Sequence, residues 1–306
     1  MRIIFAGTPD TAAKSLGALV DAGHTVVGAL TRADAPTGRG GKVTESPVAA
    51  LAGSLGIPVF KSNKVDQVAL DWLSGLKPHL GVIVAYGCIL TSEALAVPSK
   101  GWVNLHFSLL PKYPGASPVQ QALLDGEDST GVTVFRLDEG VDTGPILSSQ
   151  KADILPNENA GSLMERLSEI GSKLLTQMLA DFENRLSGQV EQNLAGERGI
   201  TRKINRSMAK IDFNVSAQEV VNKVRAMNPE PVAWFEIETG PVRVLEAKAL
   251  VSKGAAAGEA RLVGSQLVVG CSIGAVELLV VQPAGKKEMS GADWFRGLRR
   301  DSLLVS

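Results

Sequence analysis

Apolar residues run unbroken over residues 3–6, and a polar turn, Gly7-Thr8-Pro9-Asp10, follows at once. A short continuous run bounded by turn residues predicts a strand buried on both faces. Thr8 or Asp10 is expected to cap the next helix, with Pro9 tolerated near its start. Residues 11–21 have helical spacing and stop at Gly23, and the Val-rich stretch 24–30 predicts a second strand. Strand, helix and strand of this length imply a right-handed parallel unit. The alternation continues with helices over 47–55 and 65–73 and strands over 57–60, 80–86 and 102–105. The first turn is not a G-x-G-x-x-G fingerprint, which argues against a dinucleotide cofactor.

Polarity appears abruptly after the strand at 102–105. Asn104 and His106 are two apart, so on an extended chain they point to the same side. Residues 108–118 then carry Pro111, Pro114, Pro118 and Gly115, which exclude regular structure and shape a loop. A second polar loop, Asp138-Glu-Gly-Val-Asp142-Thr-Gly-Pro145, lies between apolar runs at 130–137 and 144–154, expected to pair as antiparallel strands. Asp142 is the natural third member of a site with Asn104 and His106. On pattern alone, an Asn before a loop and an Asp in Gly-Val-Asp-Thr-Gly are also common turn residues. Residues 159–186 form one long helical pattern, ended by Gly188.

A polar, glycine-containing stretch then reads as a linker, placed at 191–206 between a Rossmann-like α/β domain (1–190) and a smaller domain (207–306). Ser216 is expected to cap a helix over 217–227. Short runs at 232–237, 242–249, 259–263, 266–271 and 275–282 predict five strands, the spacing of a small, OB-like β-barrel.

Composition changes this picture little. Hydrophobic content of 44% with 21% charged residues is that of an ordinary soluble protein, and no stretch approaches the about 18 apolar residues of a membrane helix. No signal peptide is legible, so a cytoplasmic protein is expected, and a monomer is expected as well. Cys88 and Cys271 sit in apolar neighbourhoods and read as free buried thiols in a reducing compartment. Three scattered histidines and two distant cysteines make no metal cluster. Charge is more informative: residues 1–200 hold 16 Lys+Arg against 21 Asp+Glu, whereas 201–306 hold 15 against 11. The basic half permits nucleic-acid contact without demanding it. Residues 31–47 are polar and Gly-rich, a surface loop on composition. Gly41-Lys42 there is not a phosphate loop, because Val43 stands where Ser or Thr is needed.

The pair Asn104-Leu-His106 with Ser108-Leu109-Leu110-Pro111, then Asp138 to Gly144, resembles the signature of the folate-dependent formyltransferases. The resemblance implies transfer of a formyl group from 10-formyltetrahydrofolate to an amine, with Asn104, His106 and Asp142 as the catalytic residues. It implies a folate site at the strand ends, with Val84, Tyr86, Gly87, Ile89, Leu90, Ser108, Leu109, Leu110 and Pro111 as candidates. The C-terminal pieces 209–213, 225–234 and 282–289 resemble the branch of the family that acts on charged tRNA. That branch implies initiator methionyl-tRNA as partner, with Arg39 and Lys42 in an inserted basic loop and Lys286 and Lys287 in the second domain as contacts. The alternative acceptor is a small amine, such as glycinamide ribonucleotide or an amino sugar. The chain departs from the family pattern at Pro114, where a charge is lost, and at Glu230, which replaces a common aromatic.

Overall fold

The computed structural model describes residues 1–37, 41–194, 199–251 and 255–305. The chain divides into two compact units, neither of them one continuous stretch. Unit 1 takes Met1–Gly115, Thr130–Asp153 and Met164–Ile200; unit 2 takes Ala116–Ser129, Ile154–Leu163 and the chain from Thr201 onward.

The first part of the chain forms β1 (Arg2–Gly7), α1 (Asp10–Asp21), β2 (Thr25–Thr31), β3 (Ala35–Thr37), β4 (Lys42–Thr44), α2 (Pro47–Ser54) and β5 (Val59–Lys61). Then come α3 (Gln67–Gly75), β6 (Leu80–Val84), α4 (Ser92–Ala96), β7 (Trp102–His106), α5 (Pro118–Leu124), β8 (Ser129–Arg136), β9 (Ile146–Asp153), α6 (Ala160–Ala180) and α7 (Phe182–Ser187). The main sheet of unit 1 has the order β5-β2-β1-β6-β7-β8-β9. Its first five strands are parallel, and β8 runs antiparallel to β7. Ile3, Ile4, Phe5 and Ala6 are all fully buried, so β1 is covered on both faces, as its unbroken apolar run requires. The strand order reverses between β1 and β6, and in such sheets the crevice for ligands opens beyond the C-terminal strand ends at that point.

Several local expectations are corrected. Residues 31–47 are not all loop, since β3 and β4 pair as a short antiparallel hairpin with Ala35 opposite Thr44. Neither Thr8 nor Asp10 caps α1; its N-cap is Pro9, and Thr8 Oγ1 donates instead to the Tyr86 carbonyl at 2.9 Å, tying the turn after β1 to the end of β6. The expected single helix over 159–186 breaks at Asp181 (φ −120°, ψ 30°), which lets α7 begin with Phe182 buried. Only Cys271 is interior, and burial pushes its thiol up to about 11. Cys88, beyond the end of β6, is partly exposed, and its Sγ donates to the Asn63 carbonyl.

Unit 2 contains α8 (Ala217–Met227), β10 (Ala233–Ile237), β11 (Gly240–Leu250), β12 (Glu259–Val263), β13 (Gln266–Gly270), β14 (Ala275–Pro283), β15 (Met289–Ser290), α9 (Gly291–Leu298) and β16 (Ser302–Leu304). Ser216 and Glu219 close a capping box on α8. The sheet runs β10-β11-β14-β13-β12-β16, with β15 beside β14, and curls into an antiparallel half-barrel of the OB-like kind. Phe235 is central to its core, with the Phe213 and Trp294 rings 5.8 and 6.0 Å away. Within the same unit α5 buries Val119, Ala122 and Leu123 and packs against α8. Among the described residues no helix is long and apolar enough to cross a membrane.

The indole of Trp102 holds unit 1 together next to the site. It is 1% exposed, and its Nε1–H donates to the Ala94 carbonyl of α4 at 2.8 Å. Its strand partner is Gly81, where an added Cβ would lie 2.1 Å from the indole ring. Gly81→Ala is therefore expected to overpack the junction of β6 and β7 and cost about 1–3 kcal/mol. The check is the chemical-denaturation midpoint; an unshifted midpoint would mean that the indole repacks without penalty.

Candidate active site

β7 carries Asn104 and His106 on one side, and its antiparallel register with β8 sets Asn104 opposite Phe135 and His106 opposite Thr133. The loop after β7 is pinned back onto β8 through Thr133, which is fully buried. Thr133 Oγ1 donates to the Ser108 carbonyl at 2.7 Å and accepts the Leu110 N–H at 3.1 Å. Ser108 Oγ donates to the Lys112 carbonyl at 2.5 Å, so its hydroxyl is committed to the loop. The loop thus returns the Tyr113 carbonyl to within 2.8 Å of His106 Nε2. A carbonyl only accepts, so Nε2 carries a proton, and Nδ1 is the nitrogen left to exchange one.

Nδ1 lies 3.6 Å from Asp142 Oδ2, with His106 almost fully buried and the Asp142 side chain 14% exposed. At that distance the two groups are an ion pair in waiting rather than a hydrogen bond. Asp142 Oδ2 also accepts the Gly115 N–H at 2.7 Å, joining the two polar loops. The Asp142 loop is knotted by Asp138, whose carboxylate accepts Thr143 Oγ1 at 2.7 Å and the Gly140 N–H at 3.0 Å. Asp142 itself has φ +54°, a left-handed conformation that Asp tolerates better than most residues. The Asn104 amide is half-buried and has no hydrogen-bond partner among the described residues, which leaves both its donors for a ligand.

The other expected site residues fall into two sets. Gly87, Ile89 and Pro111 are exposed, Leu90 and Leu109 are half-buried, and Ile89 has 92% of its surface open. Val84, Tyr86, Ser108 and Leu110 are buried. Tyr86 packs into the apolar core beside Leu30, Val65 and Trp102, and burial pushes its hydroxyl well above the usual range. What Tyr86 offers at the crevice is therefore backbone, between exposed Ala85 (φ +46°) and Gly87 (φ +80°). Arg39 lies outside the described residues. Lys42 is exposed on β4, and Lys286 and Lys287 are exposed in the turn between β14 and β15. Among the described residues no group of acidic, His and Cys side chains could hold a metal ion.

Sequence reasoning missed two features. Gln192, in the stretch read as linker, is buried and donates to main-chain carbonyls of the Asp142 loop. A basic row also crosses the outer face of the unit 2 sheet. Trp234 pairs with Arg243, which pairs with Gln282. Directly opposed residues share a face. Arg206 and Lys210 sit over the Trp234 ring at 5.6 and 5.8 Å, while Gln282 contacts Arg243 on one side and the Lys286 carbonyl on the other. The only sequence signal for the row was the local abundance of Arg and Lys; the register that aligns it is a property of the sheet.

Two family models match the chain: formyl transferase over residues 1–179, and formyl transferase, C-terminal domain, over residues 203–299. The methionyl-tRNA formyltransferase of Paenarthrobacter aurescens is 44% identical over 308 residues, covering 100% of this chain and 99% of that protein. The protein of the same name from Renibacterium salmoninarum is 42% identical over 299 residues, covering 97% of each. Among solved structures, the N-formyltransferase from Helicobacter canadensis, in complex with folinic acid and dTDP-3-aminofucose, shares the fold with a TM-score of 0.67 at 19% identity. It covers 90% of this chain and 98% of its own.

Thr133 is the clamp on which the loop geometry rests. Thr133→Val keeps its volume but leaves the Ser108 carbonyl and the Leu110 N–H without their partner, at an expected cost of about 1–3 kcal/mol. Urea denaturation measures it; a midpoint equal to that of the unsubstituted protein would show that the loop is held by other means.

Proposed function

The chain belongs to the formyltransferase family, and from that premise we propose that it transfers the formyl group of 10-formyltetrahydrofolate to the free amino group of methionine on initiator methionyl-tRNA. The observation that carries this reading is coverage. Similarity to proteins named methionyl-tRNA formyltransferase runs through the catalytic loops and on through unit 2. The small-amine alternative is not favoured by those relatives. The proposed domains are catalytic over 1–190, linking over 191–206 and tRNA-contacting over 207–306, in a cytoplasmic monomer.

The chemistry follows from the side chains. A neutral amine attacks the formyl carbon and creates a tetrahedral centre bearing a negative oxygen. Donors placed in advance stabilise that charge. Asn104 supplies an unpartnered amide for it, and His106 supplies an N–H from Nδ1 once protonated there. The amine must lose a proton, and as the tetrahedral centre collapses the bond from the formyl carbon to the folate nitrogen breaks and that nitrogen takes a proton; His106 Nδ1 beside Asp142 Oδ2 is placed to pass it. Ser108 is not placed as a nucleophile, because its hydroxyl donates within the loop. Transfer is therefore direct. The donor's rings lie against the strand ends, where Gly87 presents backbone and Ile89 exposes apolar surface for a ligand to cover. The basic row through Arg206, Lys210, Arg243 and Lys286, with Trp234 for stacking, suits the phosphates and bases of an RNA acceptor.

Purified protein with 10-formyltetrahydrofolate and charged initiator tRNA is expected to yield formylmethionyl-tRNA, and glycinamide ribonucleotide to remain unmodified; the reverse pattern would overturn the assignment. Asn104→Ala, His106→Ala and Asp142→Ala are each expected to cut the single-turnover rate about 10²-fold or more, the usual size of such donor and proton-transfer roles. A variant that turns over at the normal rate removes its residue from the mechanism. Arg243→Gln with Lys286→Gln and Lys287→Gln is expected to weaken tRNA binding and lower the slope of log affinity against log salt by about one for each phosphate that is no longer neutralised. An unchanged slope would place the RNA elsewhere.

A further inference from the structure

Gln192 is the unexplained buried polar side chain nearest the proposed chemistry. It is 9% exposed, and its Nε2 donates to two main-chain carbonyls of the same loop, Asp142 O at 2.9 Å and Gly144 O at 2.7 Å. Two carbonyl acceptors fix the amide orientation, because only the NH2 end can donate. Its Oε1 is buried without a partner among the described residues, so the side chain is held by these two bonds alone. The backbone beside it is fixed independently. Val190 exchanges both hydrogen bonds with Ile146 at the start of β9, at 2.8 and 2.9 Å.

The loop it grips needs such a hold. Asp138 secures the first half, up to Thr143. The second half turns sharply: Asp142 sits at φ +54°, and at Gly144 a Cβ would lie 1.9 Å from the Arg136 carbonyl. Among the described residues, no hydrogen bond within the turn takes the carbonyls of Asp142 and Gly144; Gln192, from about fifty residues downstream, takes both. The carbonyl it holds belongs to the same residue whose carboxylate faces His106 Nδ1.

We propose that Gln192 is a positioning residue: by clamping the backbone on both sides of Thr143 it sets the Asp142 carboxylate against His106 during transfer. The proposal rests on the reading of Asp142 as part of the proton-handling pair. Gln192→Met fills the same space without a donor, and Gln192→Glu sets a carboxylate against the two carbonyls. Each is made in the unsubstituted chain and in Asp142→Asn, and the full-length proteins are assayed with 10-formyltetrahydrofolate and charged tRNA. Thermal melts confirm folding.

Gln192→Met is expected to lower kcat about tenfold, the effect of losing two hydrogen bonds that hold a working group, while KM for both substrates stays within about twofold. Gln192→Glu is expected to lose more than Met at pH 8 and to regain activity relative to the unsubstituted enzyme as pH falls, because a protonated carboxyl can donate one of the two bonds. In the Asp142→Asn background neither change lowers kcat further, since the group they position is already gone. A near-normal kcat in Gln192→Met, an equal loss in both backgrounds, or a Met and Glu pair with no pH difference would each overturn the proposal. If Asp142→Asn alone retains full kcat, the reading of Asp142 fails first, and that failure is seen before Gln192 is altered.

Discussion

One hydrogen bond decides which nitrogen of His106 holds a proton and which faces Asp142. The Tyr113 carbonyl, 2.8 Å from Nε2, occupies that nitrogen with a donated proton and turns Nδ1 toward Asp142. Everything around the bond serves to hold that carbonyl still. Thr133 fastens the loop to β8, Ser108 closes it from within, and Gly115 passes it on to the carboxylate of the second loop. A rotation of the imidazole would have to break its bond to a carbonyl that is held in place from β8 and tied onward to the Asp142 turn.

The sheet edge solves a related problem by a different route. Ala85 at φ +46° is strained, since a left-handed conformation costs a non-glycine residue about 1–2 kcal/mol. That conformation turns Tyr86 down into the core, where its ring is buried and its carbonyl is taken by Thr8, and leaves the chain on either side open to the crevice. A bulky residue thus anchors the strand end while the backbone forms the surface. The Tyr86 side chain anchors the end of β6 in the core, and the exposed surface beside it is backbone of Ala85 and Gly87.

Legibility followed the range of the interactions. Strands β1 and β6 were readable because burial on both faces demands an unbroken apolar run, and the candidates Asn104 and His106, polar positions of β7, and Asp142, in the loop between β8 and β9, stood out because they interrupt apolar runs. Local pattern failed where the deciding partner is remote. Thr8 looked like a cap because nothing nearby shows that the Tyr86 carbonyl waits 78 residues away. Gln192 sat in a polar stretch indistinguishable from a linker until the Asp142 turn was seen to need it. Arg243 is one exposed residue in an alternating strand; only cross-strand register puts it between Trp234 and Gln282. The break at Asp181 was masked by a helical stripe that continues through Phe182 in the sequence while the helix axis does not.

The division of the chain into interleaved units has a consequence on the ribosome. Six segments alternate between the two units, so the chain passes from one to the other five times. α5 packs against α8, whose first residue is Ala217, and Leu124 of α5 lies against the core that Val220, Val221 and Val224 of α8 help to form. At about 5–20 residues per second, α8 is synthesised roughly 5–20 s after α5. Unit 1 can close its sheet in that interval, yet the nascent protein must carry α5 without its partner helix, and Leu124 without the core it lies against, until the C-terminal third arrives. Premature termination between these helices would leave α5 without that partner and unit 2 without its sheet.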